Sequence, residues 1–398
     1  MTRESATTET PAIKDTSGPF DTRQHLANAA KQAEERRFND LLIVDVDAHH
    51  FENDSWSEIF TYVEDPVQRQ RFEASAGRRG RTAVTPVPIG DQDVAGRIRR
   101  SVERLDEVVE EDGRHRDVVI NRRYMDSLGI DYSIVFPTPM LHLGLHPRVE
   151  VEVALARAYA RWLSDHVLSA DSSIKTMLYL PFNDPRASLR MVEEFSDLPG
   201  VVGFMVTSTR YGPVHHNSYM PVYSALEERG MPLGFHAVYS SYERSTEQLN
   251  RFLSVHALGF PFFNMIHLTN WVINGLPERF PNLKVVWIES GVAWLPFLME
   301  RLDHEYAMRS SEAPLLQRLP SEYIRDMYFT SQPLERTNLK ALEYTLDRIN
   351  APTQLMYSSD YPHWDFDPPS AIYDLPFLSD GAKRKILGET AREVFRLG

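Results

Sequence analysis

Short apolar runs alternate with segments of helical periodicity along most of this chain. The first run, Leu41–Val46, is rich in branched side chains and bounded by polar groups, which is typical of a strand buried on both faces of a parallel sheet. Seven similar runs follow, the last of them the weakest: Tyr132–Phe136, Lys175–Leu180, Val201–Val206, Pro232–Phe235, Leu283–Ile288, Leu355–Tyr357 and Met327–Thr330. The intervening segments place apolar residues at helical spacing: Val149–Leu168, Arg186–Phe195, Pro221–Glu228, Ala293–Tyr306 and Leu339–Ile349.

Eight alternations of strand and helix predict an α/β fold in which a parallel sheet closes into a (β/α)8 barrel, the TIM barrel. An open doubly wound sheet would usually have fewer strands and a glycine-rich phosphate turn, and no predicted strand leads into GxGxxG or GxxxxGK. In such barrels the active site lies at the carboxyl ends of the strands.

Two regions depart from the alternation. Residues 1–38 are polar, and we expect them to form a mobile arm preceding one barrel domain over residues 39–398. A long insertion, about residues 53–127, follows strand one and includes a charged stretch, 93–112, with helical spacing. It should form a helical lid or interface over the barrel mouth.

Composition limits the partners. The chain has 398 residues, with 43 Lys plus Arg against 56 Asp plus Glu, and the formal charge of -13 argues against nucleic acid or an anionic membrane as partner. We expect a cytoplasmic enzyme acting on a small molecule, because no signal peptide or membrane span is evident. We also expect a homodimer, because homodimers are the commonest oligomers of soluble proteins. With no cysteine, any metal must have nitrogen and oxygen ligands, which suits iron, manganese, zinc or magnesium.

Ligand-type side chains stand where the apolar runs stop. Asp47 and His49 follow strand one and, because strand side chains alternate, share one face. His236, Glu289 and Asp360 follow the predicted strands five, six and eight. A lone His236 could be a core histidine and a lone Asp360 a turn cap, but five ionisable groups at one mouth would repel each other unless a divalent cation offset their charge.

Several segments together resemble the amidohydrolase superfamily, in its branch of decarboxylases and hydrolases acting on small carboxylic acids. The similarity covers about residues 41–395, and the segments that carry it are Asp47-Ala48-His49, His236, Gly275–Lys284, Leu295–Asp303 and Ser359–Pro362. The resemblance implies that Asp47, His49, His236 and Asp360 bind a divalent metal.

Glu289 departs from that family pattern, which has a catalytic histidine at the end of strand six. An exposed carboxylic acid has a pKa of about 4.3 and is ionised near neutral pH, so the decarboxylase mechanism would lose its acid. A carboxylate can instead bridge two cations. This favours a second metal held by some of Glu289, His267, Glu52 and His50, with His267 on a helix crossing the mouth.

Two ferrous ions could reduce dioxygen, and the chain is most similar to a group of TIM-barrel non-haem di-iron monooxygenases of platensimycin and platencin biosynthesis. That similarity implies two irons, dioxygen, an electron donor, catalytic roles for Glu289 and Asp360, and hydroxylation of a bulky apolar carboxylic acid or thioester, terpenoid-like in character. One alternative is a hydrolase or non-oxidative decarboxylase using one zinc or manganese. Another is a non-catalytic barrel that serves as a binding protein.

Aromatic residues near the strand ends fit a carbon-rich substrate. We expect Phe182, Tyr239 and Trp294 to line the substrate pocket, although core packing would explain such residues equally well. His363, three residues after Asp360, is also placed at the substrate, with a structural role left open.

Overall fold

A computed structural model describes residues 21–76, 109, 113–208, 212–238, 245–246 and 248–398. Eight strands within these residues form one parallel sheet in which each strand pairs with the next along the chain. The strands are β1 Val44–His50, β2 Tyr132–Pro137, β3 Ile174–Tyr179, β4 Val201–Thr207, β5 Leu233–His236, β6 Val285–Ile288, β7 Tyr328–Thr330 and β8 Leu355–Met356. All eight predicted strands are present, with ends shifted by a few residues.

Contacts between β1 and the residues around β8 bring the two edges of the sheet together. The backbone N–H of Val46 donates to the carbonyl of Tyr357 at 3.0 Å, and that of His49 donates to the carbonyl of Tyr361 at 2.6 Å. Ala48 and Tyr361 form a parallel bridge between these bonds. The predicted TIM barrel is therefore confirmed.

Helices follow the strands and cover the barrel. Their bounds are α1 Thr22–Glu35, α2 Trp56–Ile59, α3 Pro66–Ala76, α4 Arg116–Leu128, α5 Val149–Leu163, α6 Pro185–Phe195, α7 Met220–Arg229, α8 Phe252–Ile273, α9 Leu276–Arg279, α10 Leu295–Arg309, α11 Pro320–Ile324, α12 Leu339–Arg348, α13 Ala351–Gln354, α14 Ser370–Tyr373, α15 Asp380–Arg384 and α16 Thr390–Phe395. A π-helical turn, Lys385–Glu389, joins the last two.

Thr22–Glu35 of the predicted arm form helix α1, and its mobility stays a prediction. Asp21 caps this helix by accepting the N–H of Arg23 at 3.0 Å, and Leu26 and Ala29 are buried on its inner face. The small apolar stripe was too weak a signal in the sequence. Residues 1–20 of the predicted arm lie outside the described residues.

The beginning of the insertion packs on the outer helices. Glu64 accepts hydrogen bonds from Arg157 at 3.0 Å and Arg161 at 2.6 Å, both on α5, and the same two arginines bond to Glu194 of α6 at 2.8 Å. These contacts attach residues 53–76 to the outer layer. Most of the charged stretch for which a lid was predicted lies outside the described residues.

The long helix α8 contains His267, which was predicted to lie on a helix crossing the mouth. Among the described residues, α8 is the one helix with the length and apolar composition of a membrane span. Its inner face, however, buries Leu268 and Trp271 in the core and carries the buried polar residues Asn264 and His267. Core packing thus accounts for part of its apolar character.

Gly388 offers a test of how the π-helical turn Lys385–Glu389 packs against the backbone of Leu42, just before β1. A Cβ placed on Gly388 would lie 2.3 Å from the carbonyl oxygen of Leu42, and backbone atoms cannot move aside cheaply. We expect Gly388→Ala to lower the free energy of unfolding by about 1–3 kcal/mol, a cost typical of overpacking. Chemical denaturation would measure it.

Gly381→Ala is the matched control, because a Cβ there would meet nothing within 4 Å. This change should leave stability unaltered or raise it by up to about 1 kcal/mol, since alanine is the better helix former. Equal stability of the two variants would contradict the packing described for the turn at Lys385–Glu389.

Candidate metal centre

Five ionisable side chains meet at the carboxyl ends of the strands. Asp47 and His49 lie within β1, His236 is the last residue of β5, and Glu289 and Asp360 follow β6 and β8. All five are at most 5% exposed. One donor atom from each of Asp47, His49, His236 and Glu289 lies within 4.8 Å of every other, so the fold brings these four side chains together.

Hydrogen bonds orient the two imidazoles toward Asp47. His236 Nδ1 donates to the carbonyl of Ala237 at 2.8 Å, and His49 Nδ1 lies 3.3 Å from the carbonyl of Pro137. These contacts place the protons on Nδ1 and leave a lone pair on each Nε2. Both Nε2 atoms lie 3.3 Å from Asp47 Oδ1, and neither they nor the Asp47 oxygens have a hydrogen-bond partner.

Asp360 completes this group from the segment after β8, next to β1. Its Oδ1 lies 3.4 Å from His49 Nε2 and 2.6 Å from His363 Nδ1. Its backbone N–H donates to the carbonyl of Asp47 at 2.7 Å, which holds the two aspartates side by side. His363 is thus placed to orient the Asp360 carboxylate.

Glu289 and Asp360 both adopt left-handed backbone conformations, with φ of 55° and 61°. Non-glycine residues rarely occupy this region, and they persist there when the surrounding structure enforces it. The N–H of Glu289 donates to Thr330 Oγ1 at 3.0 Å, which supports the turn. The strained turns aim two carboxylates inward directly after their strands end.

Charge in the cluster is unbalanced without a cation. Burial opposes ionisation of Asp47, but His236 and His49 outweigh it and hold the pKa of Asp47 well below its usual range. Burial lowers the pKa of His49 to about 3. Burial and the neighbouring carboxylates Asp360 and Asp47 raise the pKa of Glu289 far above its usual value, and burial with Asp47 does the same for Asp360. A neutral His49 imidazole beside crowded carboxylates fits a divalent cation.

The donors fit one ion better than two. A second cluster of possible ligands, His49, Asp360 and His363, shares His49 with the first. His49 has only its Nε2 lone pair to offer, because Nδ1 faces a carbonyl. The two clusters therefore describe one centre.

Three residues expected at a second metal, Glu52, His267 and His50, have other partners. Glu52 accepts the backbone N–H of Thr138 at 2.9 Å and that of Met140 at 2.6 Å, so both its oxygens hold the loop after β2. His267 Nε2 donates to the carbonyl of Ser208. The neighbouring His50 bonds to Asp117 at 3.0 Å and to Tyr159 at 2.7 Å. The fold does not bring these residues into the donor cluster.

The residues expected at the substrate have varied positions. Phe182 is buried and stacks on Tyr219 with ring centroids 4.0 Å apart. Trp294 donates its indole N–H to the carbonyls of Ser290 and Gly291, and so braces the turn that carries Glu289. Tyr239 lies outside the described residues.

Asp45 and Ser359 were not singled out from the sequence, although they hydrogen-bond to each other directly beside the donors. Asp45 lies two residues before Asp47 in an otherwise apolar run, which is the signal that could have identified it.

Comparison with known proteins identifies related sequences and folds. A sequence model described as amidohydrolase matches residues 21–397. The 2-amino-3-carboxymuconate-6-semialdehyde decarboxylase of Dictyostelium discoideum is 22% identical over 247 residues, which cover 60% of this chain and 66% of that protein, slightly under two thirds.

Solved structures share the fold. A 5-carboxyvanillate decarboxylase from Sphingomonas paucimobilis superimposes with a TM-score of 0.63 at 19% identity, covering 90% of this chain and all of that one. A dihydroxybenzoic acid decarboxylase from Polaromonas sp. JS666, with bound manganese and the inhibitor 2-nitroresorcinol, gives a TM-score of 0.63 at 16% identity, covering 90% and 97%.

These comparisons overturn the monooxygenase expected from the sequence. The related proteins are named as decarboxylases, and the metal named with one of them is manganese. The di-iron centre, dioxygen and electron donor have no support among them. The alternative of an enzyme using one divalent metal agrees better with the comparisons. It also agrees with the geometry, because both clusters of possible ligands depend on the single Nε2 lone pair of His49.

Metal analysis of two matched variants tests the donor set. Asp47→Asn should reduce bound Mn²⁺ from about one per chain toward zero, because a neutral amide removes the charge that faces both imidazoles. Glu52→Gln should keep its metal but lose about 1–3 kcal/mol of stability, because one buried backbone N–H loses its acceptor. Metal loss in Glu52→Gln, or full metal in Asp47→Asn, would contradict this assignment.

Proposed function

This chain belongs to the amidohydrolase family, and from that premise we propose that it is a metal-dependent, non-oxidative decarboxylase of a small unsaturated carboxylic acid. The observation that carries the proposal is the convergence of Asp47, the two histidine Nε2 atoms and Asp360 at the strand ends. The names of the related decarboxylases support the reaction, and a hydroxylated aromatic acid is the substrate class that they favour.

The proposed metal ligands are Asp47, His49, His236 and Asp360. A divalent ion there would act as a Lewis acid that binds substrate oxygen atoms and stabilises developing negative charge. The remaining chemistry belongs to side chains of the chain itself.

Glu289 is the proposed proton donor. The sequence argument against a decarboxylase assumed an exposed carboxyl, but Glu289 is only 5% exposed. Burial is the largest cause that raises its pKa, which favours the protonated form that a proton donor needs. Its Oε2 has no hydrogen-bond partner and lies within the donor cluster, where a bound substrate would meet it.

The proposed reaction balances without an oxidant or a reductant. The proton of Glu289 forms a C–H bond at the carbon that bears the carboxylate, using a π electron pair of the substrate. The C–C bond then breaks, its electron pair restores the π system, and carbon dioxide leaves. A proton from water returns to Glu289.

The first test of the reaction is carbon dioxide release under anaerobic conditions. Protein loaded with Mn²⁺ should release carbon dioxide from at least one acid in a panel of hydroxybenzoates and related unsaturated acids. In D2O, one deuterium should appear at the carbon that lost the carboxylate, as NMR would detect. Product formation that requires dioxygen, or that yields only hydrolysis of amide or ester substrates, would contradict the proposal.

A second test distinguishes two possible roles of Glu289, proton donor and metal ligand. Glu289→Gln keeps the size of the side chain but cannot donate the proton, so kcat should fall by about 10²–10⁴-fold while metal content stays unchanged. Glu289→His should retain more activity than Glu289→Gln, because imidazolium can supply a proton.

The control for this substitution is Glu343→Gln, the same change on the exposed face of α12, which should leave both values unchanged. Loss of metal together with activity in Glu289→Gln would show that Glu289 is a ligand instead.

A further inference from the structure

Asp45 is a fully buried carboxylate beside the metal centre that the proposed reaction does not use. Its Oδ1 accepts the backbone N–H of Asp47 at 3.1 Å and that of Ser359 at 2.9 Å. Its Oδ2 accepts the hydroxyl of Ser359 at 2.5 Å and that of Tyr124 at 3.2 Å. One side chain therefore joins β1, the segment after β8, and α4.

These bonds surround the two aspartates of the donor set. Asp45 accepts the backbone N–H of Asp47, a proposed ligand, and that of Ser359, the residue before Asp360. Ser359 Oγ, which donates to Asp45, also accepts the N–H of Tyr361 at 2.9 Å, the residue after Asp360. The backbone on both sides of Asp360 is thus attached, directly or through one hydroxyl, to the same carboxylate.

The closure of the barrel between β1 and the segment after β8 needs such support, because few residues of the two segments pair as strands. β8 ends at Met356, and the one isolated bridge to β1 among the described residues joins Ala48 and Tyr361. Between them Asp360 holds a left-handed φ of 61°. A strained residue keeps its conformation only where neighbouring bonds over-determine it, and Asp45 with Ser359 supplies these bonds.

We propose that Asp45, acting through Ser359, is a positioning residue that sets the separation of the Asp47 and Asp360 carboxylates for metal binding. The inference rests on the metal centre of the proposed function but not on the reaction. Hydrogen-bonded partners of metal ligands commonly contribute about 10–100-fold to metal affinity.

Two hydroxyl groups on the same Asp45 oxygen give a matched comparison. Ser359→Ala removes a bond on the side of the metal ligands, whereas Tyr124→Phe removes one on the side of α4. Tyr124 stacks on Tyr361 with ring centroids 4.4 Å apart, and phenylalanine keeps that contact. Both variants should lose stability, but only the first should disturb the metal centre.

The experiment measures Mn²⁺ affinity by calorimetry, the Mn²⁺ EPR spectrum, and thermal unfolding of the metal-free protein. Ser359→Ala should weaken Mn²⁺ binding by about 10–100-fold and alter the spectrum. Ser359→Thr, which keeps the hydroxyl, should restore most of the affinity. Tyr124→Phe should lower the melting temperature while its affinity stays within about twofold of the wild type, since the Ser359 bonds that flank Asp360 remain.

Asp45→Asn is the second variant if Ser359→Ala does not fold. An amide has one acceptor oxygen and would turn its NH2 toward a donor, so affinity should again fall by about tenfold or more. Wild-type affinity in Ser359→Ala or Asp45→Asn, or equal losses in Ser359→Ala and Tyr124→Phe, would overturn the proposal.

The result also separates this inference from the proposed function. Wild-type protein that binds Mn²⁺ but releases no carbon dioxide would refute the decarboxylase and leave the positioning role standing. Wild-type protein that binds no Mn²⁺ would overturn both, because Asp45 would then have no metal site to set.

Discussion

Repulsion between three buried carboxylates is the constraint around which this barrel mouth is built. Asp47, Glu289 and Asp360 lie close together among side chains that exclude water. Asp47 raises the energetic cost of charge on the other two, and Asp360 raises it on Glu289. The histidines offset part of that cost for Asp47 alone. A divalent cation would offset the rest, and for this reason the donor set is best understood as a metal centre.

Holding like charges together requires a rigid scaffold. The barrel supplies it by ending several strands at one point, and the turns after β6 and β8 add left-handed residues that aim Glu289 and Asp360 inward. Thr330, which accepts the N–H of Glu289, and Trp294, which donates to Ser290, brace the first turn, and Ser359 braces the second. Ion pairs such as Arg157–Glu194 join neighbouring helices of the outer layer.

Burial is the basis of the proposed role of Glu289 as an acid. As an exposed carboxylate it could only be a ligand, which led the sequence argument toward two metals and dioxygen. In the folded chain, burial is the largest cause that raises its pKa, and this makes a carboxylic acid able to take the part that a histidine has in the family pattern. The same residue type thus supports opposite mechanisms according to its solvent exposure.

The sequence by itself determined the barrel and indicated the four proposed donors, because strand periodicity and the positions of Asp47, His49, His236 and Asp360 are local properties of the chain. Only the tertiary structure decided which nearby donors are excluded: Glu52 and His267 stand at suitable positions in sequence, yet backbone groups of distant segments occupy them. It also revealed Asp45, whose partners Ser359 and Tyr124 are far away along the chain. Hydrogen-bond partners and burial depend on packing between segments, which no local pattern encodes.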